Sequence, residues 1–137
     1  MPCKIIQPKH VHSTAGVGYS HVAMAGRTVY IAGQIALDPA GNLVGKGDAE
    51  AQTRQVYANL RAILVELGGG LGDIVKMTTY LTDRGQLEAF RRVRNAVFSE
   101  PFPPNTLLFI GGLAHPDYLV EIEAVAVLDC APPAGTP

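Results

Sequence analysis

Glu121 and Glu123 are the side chains whose type and spacing most directly invite chemistry in this chain. They interrupt an otherwise apolar run, Leu119 to Leu128, rich in β-branched residues and free of turn formers. Side chains of an extended strand alternate between faces. Val120, Ile122, Ala124, Ala126 and Leu128 therefore share one face, and Leu119, Glu121, Glu123, Val125 and Val127 the other. The even face is wholly apolar and predicts a cover of helices. The odd face carries two acids between apolar ends. A carboxylate in such surroundings needs hydrogen bonds, a cation or a wet cleft, because an unpaired buried charge is costly. Two readings stand: a site carboxylate, or acids that are solvated or meet a partner subunit.

The other reactive side chains form no comparable constellation. His10 and His12, spaced i, i+2, would face one side of a strand and could chelate a metal. No third ligand is near in sequence, so polar loop residues are the simpler reading. His21 opens a strand and His115 precedes Pro116 in a turn; either could line a cleft, with no base or nucleophile placed beside it. The run Gly68 to Gly72 follows a helical segment and lacks the Lys-Ser/Thr of a phosphate loop, so capping and a turn explain it. Arg91, Arg92 and Arg94 fall on two helix faces and read as solvated charges.

Composition narrows the function classes. At 137 residues the chain fits one domain, expected over residues 1–130 with a frayed tail over 131–137. Hydrophobic residues make up 47% and charged ones 17%, a balance that implies apolar surface buried against further copies. A net charge of −1 leaves no electrostatic footprint for nucleic acid or an anionic membrane. Cys3 and Cys130 form neither a disulfide framework nor a CxxC metal motif, as suits a reducing compartment. Met1 to Pro8 lacks the pattern of a signal peptide, and no apolar run approaches the roughly 20 residues that span a bilayer. Cytoplasmic location is the expectation.

The elements that must position Glu121 follow from periodicity and punctuation. Lys4–Gln7 reads as a short strand; 20–25 and 28–32 read as a hairpin turning at Gly26-Arg27. Asp48 is placed to cap a helix whose stripe is Val56, Leu60, Ile63, Leu64 and Leu67, with Gly68 as its stop. Residues 73–82 alternate as a strand with Val75, Met77 and Leu81 on one face. Asp83 opens a second helix with the stripe Leu87, Phe90, Val93 and Val97, ended by Pro101, Pro103 and Pro104. Residues 106–110 and 119–128 are the last strands. The order β-β-β-α-β-α-β-β is α+β: one sheet with two helices on one face. The uncovered face, holding Tyr30, Leu107, Phe109, Val125 and Val127 in one register, is too apolar for water, and oligomer formation would bury it.

Several segments resemble the RidA/YjgF family of reactive-intermediate deaminases, also described as L-PSP-type endoribonucleases. They are Ala15-Gly16 with Gly18-Tyr19-Ser20, Ala32-Gly33-Gln34-Ile35, Gln52-Thr53-Arg54-Gln55 with Asn59-Leu60, 73–79, Phe102-Pro103-Pro104, and Val120-Glu121-Ile122-Glu123-Ala124. The resemblance implies a chorismate-mutase-like subunit assembled as a homotrimer, the sheets forming a barrel with clefts between neighbours. It implies hydrolysis of a reactive imine or enamine to a carbonyl compound and ammonia, without cofactor or metal. On this resemblance Glu121 orients the attacking water, Tyr19 lines the cleft and Gly33 binds substrate through its backbone. Ala32 stands where serine is common, and Leu107 where many members have cysteine. The main departure is Asn105, which replaces the arginine that grips the substrate carboxylate. Arg94 stands where asparagine is frequent, so the two residue types have exchanged places. Either the substrate is not a simple 2-imino acid, or Arg94 binds its carboxylate from a new direction; the simpler reading of Arg94 is a cation complementing a helix terminus. The alternative is a non-catalytic trimer that binds a small metabolite or a partner in the same clefts. Ribonuclease action is disfavoured by the acidic balance and the lack of a paired acid/base set.

Overall fold

The computed structural model describes residues 3–129, so Cys130 and the expected tail at 131–137 lie outside the described residues. Six strands form one sheet: β1 (Lys4–Ile6), β2 (Val22–Ala25), β3 (Thr28–Gln34), β4 (Ile74–Leu81), β5 (Asn105–Phe109) and β6 (Val120–Val127). Helix α1 (Ala49–Glu66) lies between β3 and β4 in the chain, and α2 (Leu87–Val97) between β4 and β5. The sheet order is β1-β2-β3-β6-β4-β5, so the last strand fills the centre. β4 and β5 are parallel and joined through α2; the other pairs are antiparallel. No helix among the described residues is long and apolar enough to cross a membrane.

Local chemistry accounts for the boundaries. Gly26 adopts φ +61° at the β2–β3 turn, and Ala25 pairs with Thr28 across it. The Asp48 carboxylate accepts from the Ala51 amide at 3.0 Å, capping α1. Asp83 caps a single 3₁₀ turn, Arg84–Gln86, and α2 starts immediately after it. The expected stripes are buried: Val56, Leu60, Ile63 and Leu64 on α1, Phe90 and Val93 on α2. They pack on the even face of β6, where Val120, Ile122, Ala124 and Ala126 are all sealed from solvent.

Two expected faces are corrected. Ile74, rather than Val75, joins Met77 and Leu81 in the core, because a bulge between Ile74 and Lys76 shifts the register of β4 against β6. Leu107 and Phe109 pack toward the helices, not on the uncovered face. Parallel pairing sets them beside Thr79 and Leu81, which are buried, and turns Leu108 outward. Tyr30, Val125 and Leu108 thus belong to the uncovered side, with Tyr30 and Leu108 about half exposed.

Buried polar side chains tie loops to this frame. Gln52, fully buried on α1, donates to the Gly45 and Asp117 carbonyls at 3.0 and 2.9 Å and accepts from the Leu119 amide at 2.9 Å. Asn59 donates to the Ile35 and Leu37 carbonyls at 3.0 and 3.1 Å. Gln52 thereby fixes the approach to β6 just before Glu121. Gln52→Ala strips three hydrogen bonds in the core and should cost about 3 kcal/mol by denaturant unfolding. A loss under about 0.5 kcal/mol would show that the 115–119 loop is held by other means.

Candidate functional site

Glu121 occupies the second position of β6, with its side chain on the uncovered face, half-buried. The neighbouring β3 makes room for it. Between the pairs Ile31–Ala124 and Gln34–Ile122 the register shifts, leaving Ala32 and Gly33 opposite the single residue Glu123. A Cβ on residue 33 would collide with the Glu121 carboxylate, so glycine is what lets the acid lie against β3. Tyr19 stands close enough that the Glu121 charge, after burial itself, raises the pKa of its phenol; Tyr118 adds to the effect. Burial, and next the charge of Glu123, push the Glu121 carboxyl above the usual carboxylate range. Glu123 is exposed and accepts from the Tyr80 hydroxyl at 2.7 Å. The two acids thus differ: one is hydrogen-bonded and wet, the other desolvated.

A buried imidazole pair lies behind Tyr19. His21 Nε2 lies 2.7 Å from the His12 carbonyl, which can only accept, so Nε2 carries the proton and Nδ1 accepts from Gln34 Nε2 at 3.0 Å. Gln34 also donates to the Ala32 carbonyl at 3.0 Å, fixing the strand beside Gly33. The His12 ring packs edge-on against His21 at 4.7 Å, and Tyr19 against His21 at 6.1 Å. His12 is therefore a core residue, not a solvated loop histidine, while His10 is exposed. Burial and the nearby His21 hold the His12 pKa below the ordinary histidine value. Among the described residues no group of three or more His, Cys, Asp or Glu side chains is placed to hold a metal ion.

Arg94 and Asn105 are brought together elsewhere, in a cavity of about 440 Å³ shared with Tyr57, Phe98, Glu100 and Phe102. Asn105 Oδ1 accepts from Thr79 Oγ1 at 2.8 Å, which leaves its amide NH₂ as the donor toward the cavity. The Arg94 guanidinium donates to Asn95 Oδ1 at 3.2 and 3.1 Å and sits 5.6 Å from the Phe102 ring centre. Burial raises the Tyr57 phenol, against the opposing charge of Arg94. Asn105 points to the helix side through Thr79, and Glu121 to the uncovered side. Within one protomer the two groups do not converge. Leu107 packs against the core, so only its backbone is available to a ligand.

Sequence reasoning missed Tyr118, Tyr57 and the His12–His21–Gln34 support. Tyr118 adjoins the Leu119 strand, which is the signal that could have found it. Tyr57 directly follows Val56 on α1, and its place beside the buried stripe is the signal that could have found it.

Comparison with known proteins gives a consistent result. Residues 11–128 match the sequence model of the family described as Endoribonuclease L-PSP. A RutC family protein from Pyrococcus horikoshii is 40% identical over 108 residues, 79% of this chain and 85% of that protein. RidA from an Antarctic Psychrobacter superposes with a TM-score of 0.83 at 33% identity, covering 91% of this chain and 99% of that one. TdcF from E. coli with bound serine superposes with a TM-score of 0.81 at 31% identity, covering 90% and 98%.

The raised pKa of Glu121 has a consequence for stability. The unfolded chain ionises this carboxyl at lower pH than the folded chain does. Its stabilising contribution is full below the ordinary Glu value of about 4.3 and is lost as pH rises through the folded value. Glu121→Gln avoids that loss. Its melting temperature should exceed that of the wild type at pH 7, with the gain vanishing below about pH 4. A variant less stable than wild type at pH 7 would contradict the desolvated placement of the acid.

Proposed function

The chain belongs to the RidA/YjgF (Endoribonuclease L-PSP) family, and we propose that it hydrolyses a reactive imine, or its enamine tautomer, to a carbonyl compound and ammonia. The observation that carries this reading is the half-buried Glu121 carboxylate lying against Gly33 beside Tyr19. Water adds to the electrophilic C=N carbon while Glu121 accepts one of its protons. That proton passes to nitrogen, and the carbinolamine collapses to C=O with loss of ammonia. The carbon is already activated, so orientation of water and substrate is the main demand, and neither metal nor cofactor enters.

The site is proposed to lie between copies in a cytoplasmic homotrimer. Glu121 and the Arg94–Asn105 cavity lie on opposite sides of one sheet, so a cleft that uses both takes them from neighbouring protomers. Burying the uncovered face, with Tyr30 and Leu108 on it, favours the same assembly. Tyr19, Ala32 and Gly33 would line one wall and Arg94, Asn105 and the Leu107 backbone the other.

A second reading, a non-catalytic trimer that binds a metabolite, is favoured by one observation. Asn105 commits its carbonyl to Thr79 and offers a ligand only an uncharged amide. Replacing a charge-assisted carboxylate pair in this way costs on the order of 2–4 kcal/mol, roughly 30- to 1000-fold in kcat/KM. An amino-acid oxidase supplying imine, with semicarbazide trapping what remains, measures it. Iminopropionate should be cleared that much more slowly than by a relative carrying the arginine, and Asn105→Arg should recover at least about tenfold. Equal clearance by the unmodified protein and that relative would show that Asn105 is no handicap.

A further inference from the structure

Tyr19 and Tyr118 also line a separate cavity of about 470 Å³, a size that takes small ligands. Its other walls include Leu37, Ala40, Ala114 and the ring of His12. Among the described residues no Asp, Glu, Lys or Arg lines it. The His12 imidazole is buried and packed against His21, which disfavours a charge at that wall.

The Leu37, Tyr118 and His12 walls are tethered before any ligand arrives. Leu37 bridges to Leu43, and the Asp38 carboxylate between them accepts from the Ala40 and Asn42 amides at 3.0 and 2.9 Å. Gln52 holds Asp117 and Leu119 on either side of Tyr118. His21 holds the His12 backbone. A preformed, uncharged and mostly apolar cavity binds a matching group with little ordering cost. Tyr19, which the Glu121 charge reaches, and Ile35, two residues beyond the Gly33 that the Glu121 carboxylate lies against, bring this cavity to the neighbourhood of the acid.

We propose that this cavity takes the uncharged apolar substituent of the imine whose C=N carbon sits at Glu121, so that the protein selects branched aliphatic or aryl imines over small or charged ones. The proposal rests on the imine-hydrolysis reading, and it supplies the binding that Asn105 withholds from the carboxylate.

The test uses the full chain and imines generated from leucine, phenylalanine, alanine and glutamate. Ala40 and Ala114 are exposed, so Ala40→Phe and Ala114→Phe narrow the cavity without entering the core. The leucine- or phenylalanine-derived imine should be cleared at least about tenfold more efficiently than the alanine-derived one, with the glutamate-derived imine lowest. At least one of the two variants should lose about tenfold on the large imines while changing less than twofold on the alanine-derived one. A flat order, or a preference that survives both variants, overturns the proposal. If no imine is cleared at all, the hydrolysis reading fails and calorimetry on the carbonyl products decides the cavity. Tighter binding of 4-methyl-2-oxopentanoate than of pyruvate, lost in Ala114→Phe, supports it; equal binding of the two overturns it.

Discussion

A desolvated carboxylate on the central strand is the constraint around which this molecule is organised. Glu121 is costly where it sits, and it stays there because β6 cannot slip. Val120, Ile122, Ala124 and Ala126 are all sealed beneath the helices. A shift of one residue would bring Glu121 and Glu123 into the core and expose four apolar side chains. The burial of one face therefore determines the chemistry of the other. On β3, the bulge and Gly33 meet the acid with empty space instead of a side chain.

The loops that complete this region are held by buried amides rather than by apolar contact alone. Gln52 secures the segment before β6, Asn59 the segment after β3, and Gln34 with His21 the segment carrying Tyr19. Each spends hydrogen-bonding capacity on loop backbone or on a buried imidazole. Breaking one would leave buried groups unpaired, which makes these tethers stiff. Stiffness of this kind suits the proposed hydrolysis, whose chief demand is the orientation of water and substrate. The same tethers give the apolar cavity at Tyr118 its fixed walls.

Much of this was legible in the residues. The alternation over 119–128 revealed both the covered face and the exceptional acids, since a strand has a strict period of two. Asp48, Gly26 and Gly68 marked boundaries because each meets a specific backbone need. The rest was hidden for physical reasons. The run Leu107-Leu108-Phe109-Ile110 has no alternation, so its facing depends on parallel pairing with β4, a tertiary fact. The bulge that exchanges Ile74 for Val75 leaves no mark in composition. His12 is polar and lies in a loop, and nothing local foretells its burial against His21. The meeting of Arg94 and Asn105 depends on how α2 returns to the edge strand. Membership of the family was readable from ordered motifs, whereas the opposite facing of the two candidate groups is set by how β5 and β6 pair with β4.

The acid on β6 is either the base for water or a costly residue with another purpose. Imine clearance by Glu121→Gln, followed across pH beside the wild type and paired with calorimetric binding of a 2-oxo acid, separates these most directly. Wild-type clearance should decline on the acid side at a pH above the ordinary Glu range, in keeping with the raised pKa of this carboxyl. The variant should bind the 2-oxo acid normally while clearing imine at least about 100-fold more slowly, without that acid limb. Undiminished clearance by Glu121→Gln would contradict the account.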